Sequence, residues 1–93
     1  MKGYFTFSEA LEFMKMGLLC ARRGWNGKGM WVTTAVPDFN IRSRRKIECQ
    51  RCLVMKTVDD RLTSWTPCDL DLFTNDWYIV EEDWHAMEAD ACP

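Results

Sequence analysis

This sequence has few of the residues that acid–base catalysis and nucleoside triphosphate binding require. The chain has one histidine, His85, which lies in its acidic C-terminal stretch. It has no glycine-rich P-loop with a lysine-serine/threonine ending, and no nucleophile has a base near it in sequence. A hydrolase is therefore disfavoured, and we expect the protein not to be an enzyme.

Long apolar runs are also missing. No stretch approaches the length of a membrane span, and the first residues run directly into an amphipathic helix instead of a signal peptide. These absences predict a cytoplasmic protein that does not contact a membrane. In that compartment the five cysteines, an odd number, are expected to be reduced thiols and not a disulfide framework.

Cysteine spacing offers only half of a metal site. Cys49 and Cys52 are separated as a first pair of zinc ligands would be. The remaining candidate ligands are not spaced as a second pair: Cys20, Cys68, His85 and Cys92. We therefore expect no metal and no cofactor, with the thiols lying in and around a strand.

What the chain does have is an excess of large apolar side chains for its length. Its 93 residues predict one domain, and 47% of them are hydrophobic, including five tryptophans. A core this small does not readily hide them all, so some should line a ligand pocket or a subunit interface. A homo-oligomer is therefore expected.

Charge is unevenly distributed along the chain. The net charge of −2 argues against binding a nucleic acid polymer, although basic residues cluster in segment 42–51 and acidic residues crowd 69–90. Residues 38–51 are interpreted as an exposed loop, with phosphate binding by its arginines as the alternative. Residues 81–93 are interpreted as an acidic C-terminal tail, which leaves 1–80 as a single ligand-binding domain.

The residue pattern predicts an α+β fold, with one N-terminal helix packed on a small, mainly antiparallel β-sheet. Thr6 and Glu9 match a capping box that starts the helix, and Gly17 ends it. Phe13 and Met16 fall outside the apolar face of this helix and are interpreted as a protomer contact or as ordinary surface residues. The apolar face itself consists of Phe7, Ala10, Leu11, Met14 and Leu18.

Short runs of β-branched and aromatic residues predict strands over 18–22, 30–36, 52–57, 62–65 and 77–80. The first two should form one hairpin, and the next two a second hairpin. Thr66 and Pro67 are expected to cap and open a further helical turn.

The connection between the first two strands, residues 24–30, is called the central loop below. Its three glycines within six residues let the backbone take positive φ and approach a partner, while Trp25 offers a stacking face and Lys28 a charge. This combination suits a planar, anionic ligand. The alternative is a tight turn plugged by a core tryptophan.

Residues elsewhere complete the predicted site. Two aromatic rings can sandwich a base or cover a ribose, two cations can neutralise a pyrophosphate, and an amide and a carboxylate can read base and sugar edges. Trp77 is interpreted as structural, and Asp76 either as a brace of its turn or as a ligand contact. The predicted ligand-binding residues are Arg22, Trp25, Asn26, Gly27, Lys28, Trp65 and Asp71.

Motifs spread along the chain carry a family resemblance. They occur in matching order over about residues 5–80: Phe7-Ser8-Glu9-Ala10-Leu11, Ala21-Arg22, the central loop, Met55-Lys56-Thr57-x-Asp59, Trp65, and Asp71-Leu72-x-x-x-Asp76-Trp77-x-Ile79-Val80. The series resembles the second Thoeris anti-defence sponge family of phages and prophages. The resemblance implies a compact α+β protomer that assembles into homo-oligomers, with a tetramer expected. It also implies sequestration of cyclic nucleotide signals of bacterial immune systems, such as cyclic ADP-ribose isomers, without their degradation.

Three features depart from the family pattern. Asp60 stands where the family usually has glycine, Cys68-Asp69 stands where it often has a Ser/Thr-Gln pair, and the basic segment 42–51 does not match the pattern. The ligand can therefore differ from that of other members. The alternative function is a phage protein-interaction module that occludes a host protein.

The excess of tryptophan and the resemblance both predict a stable homo-oligomer. Light scattering coupled to gel filtration at micromolar concentration should give a mass several times the 11.0 kDa of one chain. A mass equal to that of one chain would contradict this prediction.

Overall fold

The computed structural model describes residues 3–25, 29–36 and 47–81. Most of the predicted basic loop and nearly all of the predicted acidic tail lie outside these ranges. The described residues form an α+β fold, as predicted. Its elements are α1 (Phe7–Lys15), β1 (Leu19–Arg22), β2 (Trp31–Ala35), β3 (Cys52–Lys56), β4 (Leu62–Ser64), α2 (Asp69–Phe73) and β5 (Trp77–Val80).

The strands form one antiparallel sheet in the order β4-β3-β2-β1-β5. Both predicted hairpins are confirmed, because β1 lies beside β2 and β3 lies beside β4. The last strand does not extend the second hairpin. Instead β5 pairs with β1, with Trp77 opposite Arg22, so the C-terminal part of the described chain meets the entrance of the central loop.

Helix α1 begins and ends as its sequence predicts. The backbone N–H of Glu9 donates to Thr6 Oγ1 at 3.2 Å, and the backbone N–H of Thr6 donates to Glu9 Oε1 at 2.9 Å. These two bonds satisfy donors that the first helical turn leaves free. Gly17 follows the helix with φ of +97°, a conformation that costs glycine little.

The core lies between α1 and the sheet. Its five most buried apolar residues have no exposed surface: Ala10, Met14, Cys20, Val32 and Trp77. The structural interpretation of Trp77 is thereby confirmed. Among the helices of the described ranges, none combines the length and the apolar composition that crossing a bilayer requires.

Phe13 is half-buried within the protomer and is not the exposed residue that its helical position predicts, whereas Met16 is exposed as expected. A protomer contact by either residue stays a prediction. The ring of Phe13 packs against Phe5 at 4.9 Å between centroids and joins the margin of the core. The reason is long-range: Phe5 forms a β-bridge with Trp77, and this brings the segment before α1 over a side of the helix that periodicity assigns to solvent.

The second helix also differs from its prediction. Thr66 and Pro67 precede α2 without capping or opening it, and Cys68 occupies the N-cap position. The carboxylate of Asp71 accepts the backbone N–H of Cys68 at 2.9 Å. The capping interaction therefore comes from inside the helix and moves its start beyond the proline.

The described cysteines occupy different environments. Cys20 lies in the core, Cys49 and Cys52 are half-buried, and Cys68 is exposed. Burial raises the pKa of the Cys20 thiol to about 11, which keeps it protonated and poorly nucleophilic at neutral pH.

Candidate functional site

A buried arginine lies at the entrance of the central loop. Arg22 is the last residue of β1 and is 9% exposed. Its Nη1 donates to Asp71 Oδ1 at 2.8 Å, and its Nε donates to Asp76 Oδ1 at 2.9 Å. The guanidinium is thus held between two carboxylates, one from α2 and one from the turn before β5.

Both carboxylates also bind other donors. Besides Arg22, the Asp71 carboxylate accepts the Cys68 backbone N–H at 2.9 Å, and Asp76 accepts the Thr74 hydroxyl at 3.0 Å. The buried charges of Arg22 and Asp71 and the half-buried charge of Asp76 are therefore well supplied with hydrogen bonds, which is the condition under which burial of an ion pair is tolerated.

Asp76 fixes the first turn of the central loop. Its Oδ2 accepts the backbone N–H of Gly24 at 2.9 Å, and its carbonyl accepts the backbone N–H of Arg23 at 3.0 Å. A Cβ at position 24 would lie 3.0 Å from Asp76 Oδ2 and 3.1 Å from Arg22 Nη2. A side chain here would crowd the ion pair, so glycine suits this close approach, and Asp76 serves as the brace that the sequence left as one alternative.

Three tryptophans, Trp25, Trp65 and Trp77, form what we call the tryptophan cluster. Each pair meets edge to face, with centroids 5.4 Å apart for Trp25 and Trp77 and 6.0 Å apart for the other two pairs. Trp25 Nε1 donates to Asp71 Oδ1 at 3.4 Å, and Trp77 Nε1 donates to the Asp71 carbonyl at 2.9 Å. Asp71 therefore orients two of the three indoles.

Lys56 holds the other end of the central loop. Its Nζ donates to the carbonyl of Gly29 at 2.5 Å, and Gly29 has φ of +79°. The sequence does not reveal this role, because a charged residue at the end of β3 has no local feature that points to the loop. The central loop is consequently attached at both ends, by Asp76 and by Lys56.

Folding changes the titration of the buried network. Burial opposes ionisation of Asp71, but hydrogen bonds from Cys68 and Arg22 outweigh it, so the pKa of Asp71 lies below its usual value. Burial likewise opposes ionisation of Asp76, but hydrogen bonds, above all the one from Arg22, outweigh it and lower the pKa of Asp76. The hydrogen bond with Asp76 is the main cause that raises the pKa of Arg22. All three groups are therefore charged at neutral pH.

The structure brings part of the predicted site together. Four of the predicted residues lie together, namely Arg22, Trp25, Trp65 and Asp71. Arg22 and Asp71, however, are bonded to each other. Asn26, Gly27 and Lys28 lie outside the described residues. The close approach of the Gly24 backbone to Asp76 agrees with the prediction that glycines let this loop come near a partner.

A second surface feature lies close to the loop entrance. A cleft of about 460 Å³ is lined by Gly3, Tyr4, Arg23 and Tyr78. Its groups already contact one another, since the Arg23 guanidinium lies 5.8 Å from the Tyr4 ring centroid and the two tyrosine rings meet edge to face. We assign the candidate site to the central loop, where the buried charges and the tryptophan cluster converge.

The amino-acid sequence is similar to that of known proteins. Residues 5–80 match the family model described as the Thoeris anti-defense 2-like domain. The chain is also similar to a protein of Bacillus phage SP01 named Thoeris anti-defense 2, with 33% identity over 88 residues, which cover 86% of this chain and 99% of that relative. Both matches span the residues of the buried network and the tryptophan cluster.

The network predicts a specific pattern of acid sensitivity. Asp71→Asn should lower the free energy of unfolding at neutral pH by about 2–3 kcal/mol, because it removes one of two charges that balance a buried guanidinium. Since folding lowers the pKa of Asp71, the stability that its ionisation contributes is present above the unfolded value of about 3.9 and is lost as pH falls through the folded value. Urea unfolding from about pH 7 down to about pH 2 should therefore show a shallower acid loss in the variant.

Asp69→Asn provides the matched control, because Asp69 is an exposed aspartate of the same helix. It should change the free energy of unfolding by about 0.5 kcal/mol or less. Equal losses in the two variants would show that the buried network does not carry this stability.

Proposed function

The chain belongs to the Thoeris anti-defense 2-like family, and from that membership we propose that it is a phage anti-defence protein that counters Thoeris immunity by sequestering a cyclic nucleotide signal. Cyclic ADP-ribose isomers are the proposed ligand class. The observation that carries the proposal is the anchoring of the central loop at both ends beside the tryptophan cluster. These contacts fix the positions of Gly24 and Gly29, at the two ends of the loop.

The proposed ligand stacks on an indole face. Trp25 and Trp65 are both half-buried, and their planes are inclined by 72°, so they meet edge to face. A base would accordingly lie on the open face of one ring, and not in a parallel slot between two. The bond from Trp25 Nε1 to Asp71 fixes the direction of that face.

We assign Arg22 and Asp71 a positioning role within this proposal. Both side chains are 9% exposed and are bonded to each other. Contacts to the base, the sugar and the phosphates are assigned to Trp65 and to the central loop, that is, to Trp25, Asn26, the Gly27 backbone and Lys28.

The carboxylates of Asp71 and Asp76 favour a protein that binds its ligand without converting it. A general base or acid works best with a pKa near the operating pH, whereas folding moves the pKa of Asp71 and of Asp76 further below it. Both carboxylates are already engaged by Arg22. We therefore propose that the protein holds its signal intact and is not an enzyme.

Sequestration sets requirements on affinity and assembly. A stoichiometric inhibitor must bring the free signal below the threshold of the immune effector, which calls for a nanomolar dissociation constant, or about −12 kcal/mol. A loop already held at both ends lowers the ordering cost that opposes such affinity. The proposed assembly is a homo-tetramer acting in the cytoplasm of the host bacterium.

One observation favours the alternative function, a module that occludes a host protein. Helix α2 exposes Leu70 and Phe73, the latter at 81%. A thermal-shift screen against cyclic nucleotides separates the two functions, because a ligand that binds only the folded state raises Tm.

Trp25→Ala tests the stacking role directly. Loss of one base-stacking face costs roughly 1–3 kcal/mol, so the dissociation constant for cyclic ADP-ribose or its isomers should rise by about one to two decades. Isothermal titration of the folded variant measures this change. Phe73→Ala is the control, since it removes an exposed aromatic ring from α2 and should leave the constant unchanged.

Trp25 also packs against Trp77, so the alanine variant can lose stability as well as binding. Trp25→Phe is the second variant, because it keeps a ring in the cluster while reducing the stacking area. A folded Trp25→Phe or Trp25→Ala protein that binds like the wild type would remove Trp25 from the site.

The fate of the ligand tests sequestration against catalysis. The protein is incubated with excess cyclic nucleotide and denatured by heat, and the released material is separated by chromatography. Intact ligand that again activates its effector is the expected result. A linear or cleaved product exceeding one equivalent per site would show that the protein is an enzyme.

A further inference from the structure

Asp60 adopts a backbone conformation that few residues with a side chain adopt. Among residues 3–25, 29–36 and 47–81 it is the one non-glycine with positive φ, at +64°. This left-handed conformation costs most residues roughly 1 kcal/mol or more, and only asparagine and aspartate share some of the tolerance of glycine. The Asp60 N–H donates to the Thr57 carbonyl at 3.0 Å, and Thr57 N–H donates to the Arg61 carbonyl at 2.8 Å. A tight turn between β3 and β4 thus holds Asp60 in place.

The Asp60 side chain makes a specific ion pair. Its Oδ1 lies 2.7 Å from Lys56 Nζ, which also donates to the carbonyls of Gly29 and Thr57 at 2.5 Å and 3.3 Å. An ammonium group has three donors, so these partners occupy all of them. The Lys56 side chain is 20% exposed, which leaves its charge less screened than that of a fully solvated lysine.

The neighbouring acidic residue of the turn has a different partner. Asp59 accepts the Thr57 hydroxyl and lies 3.4 Å from Arg61 Nε, with both charged side chains mostly exposed. The two ion pairs of the turn are therefore separate. Asp59 balances an exposed arginine, whereas Asp60 balances the lysine that is bonded to the central loop.

We propose that Asp60 determines how strongly the central loop attracts anionic ligands, by neutralising the Lys56 ammonium at the Gly29 end of that loop. The proposal rests on the function proposed above, because it requires an anionic ligand at the loop. Lys56 alone would add a positive charge within hydrogen-bonding distance of the loop backbone. The Asp60 carboxylate, 2.7 Å away and 79% exposed, offsets part of this charge, so the loop selects its ligand less by charge and more by stacking and shape.

Asp60→Asn isolates the charge from the turn geometry, because asparagine tolerates the same positive φ. Tm should stay close to that of the wild type. The dissociation constant for cyclic ADP-ribose, measured by isothermal titration at low salt, should fall by about two- to fivefold, since one negative charge near an anionic ligand is removed. The gain should shrink as salt is raised to about 1 M, where the screening length is about 3 Å.

Two further variants identify the cause of the gain. Asp59→Asn removes an equal charge from the same turn and leaves the Lys56 pair intact, so it should change the dissociation constant clearly less than Asp60→Asn does. Asp60→Gly serves as the second variant if asparagine disturbs the turn, because glycine adopts positive φ freely.

Unchanged or weaker binding by folded Asp60→Asn and Asp60→Gly proteins would overturn this inference while leaving the proposed function intact. An equal gain in Asp59→Asn would overturn it as well. A wild-type protein that binds no cyclic nucleotide at all would instead remove the proposed function, and the role of Asp60 with it.

Discussion

The guanidinium of Arg22 is almost fully removed from water, and the rest of the site depends on how this charge is balanced. Taking an ion out of water costs several kcal/mol unless close partners replace the solvent. Asp71 and Asp76 are those partners, at 2.8 Å and 2.9 Å, the first in α2 and the second in the turn before β5. Because the charge cannot be left unpaired, α2 and the start of β5 must dock beside the end of β1.

This electrostatic requirement also determines the position of the aromatic rings. Asp71 binds Arg22 through the same oxygen that accepts the Trp25 indole N–H, and its carbonyl accepts that of Trp77. Asp76 binds Arg22 and the Gly24 backbone together. One ionic network therefore fixes both the beginning of the central loop and the orientation of its indole, and the proposed ligand would meet groups that are already arranged.

Local sequence predicts the elements well and their mutual contacts poorly. The caps of α1 at Thr6 and Gly17 were predictable because they depend on residues within one helical turn. The environment of Phe13 was not, since it depends on a bridge between Phe5 and Trp77. The same holds for the site: the sequence indicates the binding chemistry of Arg22 and Asp71, but their ion pair spans 49 residues and follows from the placement of β5 beside β1.

The strand order determines when the contacts of the candidate site can form as the chain is synthesised. Strand β1 pairs with β2 on one side and with β5 on the other. During synthesis β2 follows β1 closely, whereas β5 is the last strand of the described chain to be made. The Arg22–Asp76 bond joins residues 54 apart, so a growing chain has the central loop well before it has the carboxylates that anchor the loop entrance. Long-range pairing of this kind forms late in folding. The Gly29 end of the loop can be held once Lys56 has been made, whereas the loop entrance stays without its carboxylate partners until the chain is complete through Asp76.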